Sequence, residues 1–181
     1  MGYYSSMPQI LYLMMGLPGA GKTTVAEIIE DLTEAVRLSS DDARFMIWDT
    51  PEFSDAEHFQ LYEYLDDQTK HLLEAGKSVI YDANLNRYIH RKEKYELAKQ
   101  FGATCQLIWV KTPLELAKER RLEDTEAKLI PKGETSAQMF DRIAKVLEEP
   151  KEREPHITLD GTKITKEYVK LQLRLDETDQ S

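Results

Sequence analysis

The sequence predicts an α/β fold: a five-stranded parallel sheet with helices on both faces, three layers in all, and a helical lid. Two observations lead there. Five apolar runs of strand length alternate with longer segments whose apolar residues recur at helical spacing. That alternation implies parallel pairing with helices packed on both faces of the sheet. In addition, the first run leads straight into a glycine-rich turn that opens a helix, a strand–loop–helix unit with a known physical use. The chain of 181 residues is long enough for a real core, and no internal repeat divides it, so a single domain over 1–181 is expected.

Taken in order, Met1–Pro8 reads as a short lead-in. Ile10–Met15 is the first strand, bounded by Gly16. A helix follows through Leu32, with Val25, Ile28, Ile29 and Leu32 on its apolar face. Ala35–Ser39 is the second strand, expected beside the first. Ser39-Ser40-Asp41-Asp42 can cap the next helix, which carries Ala43 to Trp48 and breaks at Asp49-Thr50-Pro51. Ser54-Asp55-Ala56-Glu57 resembles a capping box before a long helix that ends at Gly76. Its expected inner face is Phe59, Tyr62, Leu65, Thr69, Leu72 and Leu73. His58 and His71 have no partner at metal-ligand spacing and are expected at the surface or core edge.

Lys77–Asp82 is the third strand and ends in an acid. The turn Ala83-Asn84-Leu85-Asn86 leads to a helix from about Arg87 to Phe101, stopped by Gly102. Ala103–Val110 is a fourth, central strand, and Pro113 opens a helix to about Leu122. Residues 123–134 are charged and punctuated by Pro131 and Gly133, as a lid loop would be. Thr135–Glu148 is expected helical, with Ala137, Phe140, Ile143, Val146 and Leu147 inward. After a charged linker come a fifth strand, His156–Leu159, a turn at Asp160-Gly161 and a last helix, Thr165–Leu175. The tail, Asp176–Ser181, should fray.

Composition narrows the function. The formal net charge of −9 argues against a nonspecific nucleic-acid binder, whose affinity comes from basic surface, though a local basic groove stays compatible with it. No apolar run approaches membrane-spanning length and the start lacks a signal-peptide pattern, so a cytoplasmic protein away from the membrane is expected. The single cysteine, Cys105, excludes an internal disulfide and lies in an apolar run, as a core residue would.

The chemistry starts at Gly16-Leu17-Pro18-Gly19-Ala20-Gly21-Lys22-Thr23-Thr24, which fits G-x-x-x-x-G-K-[ST], the P-loop. Glycines let backbone N–H groups converge on phosphate oxygens, and the helix behind adds the positive end of its dipole. Lys22 supplies a full charge for the β- and γ-phosphates of ATP, and the Thr23 hydroxyl is a ligand for Mg²⁺. In parallel α/β sheets ligands lie beyond the carboxyl ends of the strands. The loops there carry Asp41, Asp42 and Arg44 after the second strand and Asp82, Asn84, Asn86 and Arg87 after the third.

With those motifs at those distances, the chain from about residue 10 to 175 resembles the kinase domain of bacteriophage polynucleotide 5′-kinase and the wider P-loop kinase group often labelled AAA family ATPase. The paired motifs Asp41-Asp42-x-Arg44 and Asp82-x-Asn84-Leu85-Asn86 carry that likeness more specifically than the P-loop does. The resemblance implies a P-loop NTPase sandwich and transfer of the ATP γ-phosphate to an acceptor hydroxyl, either a nucleic-acid 5′-end or a small molecule. It implies that Asp41 takes the acceptor proton, that Arg44 holds the acceptor or its phosphate, that Asp82 helps hold the Mg²⁺ water shell, and that Asn84 makes a polar contact to acceptor or phosphate. Arg120 and Arg121 are the lid cations it points to. The further arginine that the related pattern expects is replaced here by Leu122-Glu123-Asp124-Thr125-Glu126, which leaves Lys128, Lys132 or Arg142 as substitutes.

Among the aromatics that follow Asp41 (Phe45, Trp48, Phe53, Phe59, Tyr62, Tyr64) core packing accounts for most, and Trp48 is the strongest candidate for an acceptor contact. No obligate protein partner is evident. Two other readings remain open at this level: a nucleotide-dependent switch without an acceptor, and a toxin-type or inactive relative of the kinases.

Overall fold

The computed structural model describes residues 9–124 and 130–175. The expected lead-in, Lys128 and the tail lie outside the described residues. Strands β1 (Ile10–Met15), β2 (Val36–Ser39), β3 (Val79–Asp82), β4 (Thr104–Lys111) and β5 (His156–Asp160) alternate with helices α1 (Lys22–Leu32), α2 (Ser40–Ile47), α3 (Asp55–Glu74), α4 (Tyr88–Gln100), α5 (Leu114–Glu123), α6 (Ser136–Lys145) and α7 (Lys166–Leu173). All strand pairs are parallel, in the order β2-β3-β1-β4-β5.

That order corrects one expectation. The second strand is not beside the first; β3 lies between them, with Leu13 opposite Tyr81 and Ser39 opposite Asp82. Side-chain character explains the placement. Every residue of β3 is buried, whereas all four of β2 are half-buried, as suits an edge. The crossover places three strand ends, those of β1, β3 and β2, side by side at the carboxyl edge.

Alternation along β1 builds two cores. Leu11, Leu13 and Met15 face Leu61, Leu65 and Leu73 of α3 and Leu97 and Ala98 of α4. Tyr12 and Met14 face Val25, Ala26 and Ile29 of α1 and Val169 and Leu173 of α7. Each such large apolar side chain contributes about 1.5–3 kcal/mol on burial. The sheet is thereby gripped from both sides, and the loops at its carboxyl edge stand on a rigid base.

Several local expectations shift. Phe59 is 64% exposed, and Leu61, not Phe59, is the buried residue near the start of α3. The reason is phase: Leu61, Leu65, Thr69 and Leu73 repeat every four residues and form the inner stripe. Helix α6 stops at Lys145, so Val146 and Leu147 lie beyond it in a turn that leads to a backbone bond from Glu148 N–H to Asn86 O, 2.8 Å. Met139 joins Phe140 as its buried pair. Cys105 is free and half-buried, and burial pushes its thiol up to about 12, as fits a core residue.

Candidate functional site

The loop between β1 and α1 is held open by backbone that only glycine tolerates. Gly19 has φ +76°, and a Cβ there would lie 2.2 Å from Ala117 O on α5. Gly21 caps α1 at φ +100°. The first bond of the helix runs from Val25 N–H to Gly21 O, 3.1 Å. The amides of Lys22, Thr23 and Thr24 therefore precede the ladder and have no intrahelical partner, which leaves them for an anion. Thr23 and Thr24 are exposed. Ala20 O is fixed by the Thr112 hydroxyl, which donates at 3.0 Å. Leu17 O accepts from Ala20 N–H, so Pro18 is enclosed in a tight turn.

Lys22 folds over this loop, its Nζ donating to Gly16 O and Leu17 O at 2.9 Å each. Burial lowers its pKa, against the raising pull of Asp82 and Asp41. Those two acids are therefore its electrostatic neighbours across the carboxyl edge. Asp82 is 6% exposed, and its carboxyl is pushed up by burial, opposed by Lys22 and Arg37. Asp41 stands in the first turn of α2, whose N-cap Ser39 accepts from Asp42 N–H at 3.1 Å. The capping expected of this run thus belongs to Ser39, and the Asp41 carboxylate is not used as a cap. Asp41 is exposed as a residue, while desolvation of its carboxyl and repulsion from Asp82 raise its pKa, with Lys22 pulling the other way.

Arg44 is buried, 6% exposed. Its guanidinium lies 4.7 Å from the Phe53 ring centroid, 3.6 Å from Glu57 Oε2 and 3.4 Å from His58 Nδ1. Its Nη1 has no hydrogen-bond partner. His58 stacks obliquely on Tyr62 at 4.7 Å, and the Tyr62 hydroxyl donates to Asn84 O at 3.3 Å. Burial lowers the pKa of His58, reinforced by Arg44 and His90. The Arg44–His58 contact was not foreseen; the spacing of fourteen residues carries no local signal.

Two residues expected on the acceptor side also make contacts within the fold. Asn84 Oδ1 accepts from Asn86 N–H at 3.2 Å, a local turn that occupies it. Asn86, not Asn84, reaches the loop: its Oδ1 accepts from Gly16 N–H at 3.1 Å, and its Nδ2 is buried without a partner. Trp48, half-buried, caps the end of α2 and packs against the core with Leu38 and Tyr62. Behind Asn86 stands Arg91, fully buried. It donates to Leu85 O and Asn86 O, to Glu148 O, and in a bidentate pair to Glu154 at 2.6 and 3.0 Å. Tyr95 donates to the same carboxylate. Sequence reasoning missed this strut, since a buried arginine and its partner sixty-three residues away look like two surface charges.

The lid cations part company. Arg120 Nη1 donates to Gly161 O at 2.9 Å, tying α5 to the β5–α7 turn. Arg121 is 7% exposed with an unpartnered Nη1, and its backbone N lies 3.0 Å from where a Gly19 Cβ would be. Arg142 is bound by Glu134 through two 2.8 Å hydrogen bonds. With Lys132, Phe53 and Asp55 it lines a cleft of about 540 Å³ between the α2–α3 connection and the 131–142 segment. Among the described residues no cluster of three or more His, Cys, Asp or Glu could by itself hold a metal; the exposed Thr23 hydroxyl and the Asp82 carboxylate are the oxygen donors present beside the loop.

A family profile described as AAA domain matches residues 11–153. The chain belongs to this family. No curated protein matches the sequence. Among solved structures, the AAA-domain chain is similar to a putative kinase from Chloroflexus aurantiacus (TM-score 0.74, 17% identity, covering 93% of this chain and 98% of that one). It is similar to the Mycobacterium tuberculosis APS kinase CysC in complex with AMPPNP and APS (0.69, 21%, 93% and 97%). It also resembles a chain of the Pnkp1/Rnl/Hen1 RNA repair complex (0.63, 20%), with 80% of this chain covering 46% of that one. The fold is the α/β fold of P-loop kinases. Among the described residues, no helix is long and apolar enough to cross a membrane.

Proposed function

We propose that this chain is an ATP-dependent kinase that transfers the γ-phosphate to a hydroxyl of a small molecule. The observation that carries it is the placement of Lys22 after β1, Asp82 at the end of β3 and Asp41 just after β2, on three neighbouring strand ends at the carboxyl edge of the sheet. The amides of Lys22, Thr23 and Thr24 and the Lys22 ammonium bind the phosphates once Nζ leaves the loop carbonyls. Asp41 accepts the proton of the acceptor hydroxyl as its oxygen bonds to Pγ and the bond from Pγ to the bridging oxygen breaks, releasing ADP. Arg44 orients the acceptor through its guanidinium, whose Nη1 makes no hydrogen bond within the fold and is 3.6 Å from Glu57. Arg121, buried beside Gly19 with an unpaired Nη1, is the lid cation for the transferring group. The Thr23 hydroxyl, with Asp82 behind it, would hold magnesium, which would supply charge neutralisation on the phosphates.

A small-molecule acceptor is favoured by the net charge of −9. It is also supported by likeness along nearly the whole length of a kinase solved with APS. A nucleic-acid 5′-hydroxyl is the second reading, supported by likeness to the RNA repair chain. Incubation with Mg-ATP and either a panel of hydroxylated metabolites or 5′-hydroxyl oligonucleotides tests both. Acceptor-dependent ADP release is expected with a metabolite. Release that no acceptor accelerates would reduce the protein to a nucleotide switch.

A further inference from the structure

Arg37 is the second residue of β2 and was not singled out by any motif. Its side chain lies among four carboxylates from three elements, α1, α2 and β3. Nη1 donates to Asp82 Oδ2 at 3.1 Å; Nη2 is 3.8 Å from Glu27 and 3.7 Å from Asp42; Nε is 3.5 Å from Glu30. The Arg37 side chain is 17% exposed and that of Asp82 7%, whereas the other three acids are 47–77% exposed. The pair with Asp82 is thus the sheltered one, and exposed ion pairs such as the others contribute little. Register explains the contact. Ser39 stands opposite Asp82, which leaves Arg37 two residues back on the same face, within reach of the carboxylate along the strand.

We propose that Arg37 is a resident counter-ion: it occupies the place a divalent cation would take among these acids, holds Asp82 by one oxygen, and so makes metal entry depend on the nucleotide. Glu27, Glu30, Asp42 and Asp82 all lie within 4 Å of the guanidinium, yet no metal-holding cluster exists among the described residues. The guanidinium lies between them. Phosphates arriving on the loop bring the negative charge and oxygen ligands that the protein alone withholds. Asp82 then presents the oxygen that Arg37 does not engage. This builds on the role proposed above for Asp82, and Arg37 acts as a positioning residue through it.

The test is Mn²⁺ titration, followed by electron paramagnetic resonance of the free ion, on the full chain without nucleotide and with saturating ADP. Without nucleotide, Arg37→Ala and Arg37→Gln should bind Mn²⁺ at least ~10-fold more tightly than the parent, because one charge is removed at contact distance from several acids. Arg37→Lys, which keeps the charge, should stay near the parent. Adding Asp82→Asn to Arg37→Ala should cancel the gain. Thermal melting identifies any variant that does not fold, and the glutamine and lysine variants then carry the comparison. Unchanged Mn²⁺ affinity in both neutral variants overturns the proposal, as does a gain that Asp82→Asn leaves intact. Asp82→Asn alone should weaken Mn²⁺ in the ADP complex; if it does not, the role of Asp82 itself fails and the proposal falls with it.

Discussion

On the phosphate side of the cleft, every turn of the loop is pinned from outside. Asn86 holds Gly16 N–H, Thr112 holds Ala20 O, Ala117 O leaves no room for a side chain on Gly19, and the buried Arg91–Glu154 pair holds Asn86 in turn. On the acceptor side, Asp41 and Arg44 stand on an eight-residue helix, α2, with Phe45, Met46 and Ile47 exposed along it. There the contacts are longer: 3.4 Å from Arg44 to His58, 3.6 Å to Glu57. Phosphate geometry is the same for every substrate pair, so a rigid cradle suits it. An acceptor has to be admitted and enclosed, which suits a lightly held bank.

The sharpest way to separate the two banks is Asp41→Asn. Transfer should fall by about 10²–10⁴-fold while ADP affinity stays unchanged, measured by coupled ADP release and by calorimetry. The same residue sets a pH limb. Its pKa is raised, so the reactive carboxylate is lost as pH falls, starting above the ordinary carboxylate range. The sign for stability is the reverse: a group that binds its proton more tightly when folded costs stability at neutral pH, so Asp41→Asn should melt at the same temperature or higher.

The next effect belongs to the phosphate side. Glu154→Gln leaves Arg91 buried and charged without its partner. A loss of about 3–5 kcal/mol is expected from removing one member of a buried pair, read by urea unfolding. If the strut only stabilises, bound-state nucleotide affinity measured well below the melting point stays normal; if it positions Asn86, affinity falls as well. Gly19→Ala should cost about 1–3 kcal/mol through the left-handed backbone and, more tellingly, weaken ADP binding without moving the acceptor KM. The smallest effect is on the acceptor side. Arg44→Lys should raise the acceptor KM by roughly 10-fold with ADP affinity unchanged, because an ammonium cannot reproduce the fork over Phe53. An equal loss of ADP affinity in that variant would erase the distinction between the banks.

Much of this was readable in the residues. Glycines before Lys22, an acid at the end of a fully apolar strand, and a serine ahead of Asp41 are local signals, each set by backbone conformation or by strand and helix periodicity within a few residues. The P-loop and, among the described residues, the five strands and seven helices follow from such short-range rules. Residue 59 misled because aromatic character was weighed above the four-residue stripe through Leu61.

What the chain alone could not supply was everything that depends on which distant segments meet. Strand order is one case: β3 displaced β2 from the side of β1, since burial on both faces, not sequence order, chooses the centre of a sheet. The partners of charged residues are another. Arg91 with Glu154, Arg37 with Asp82 and Arg44 with His58 are separated by 63, 45 and 14 residues, and a charge in a sequence looks the same whether it will be solvated or enclosed. Periodicity determined the elements because it is written into each stretch; only tertiary packing decided which charges lose their water, and that desolvation is what gives them their roles.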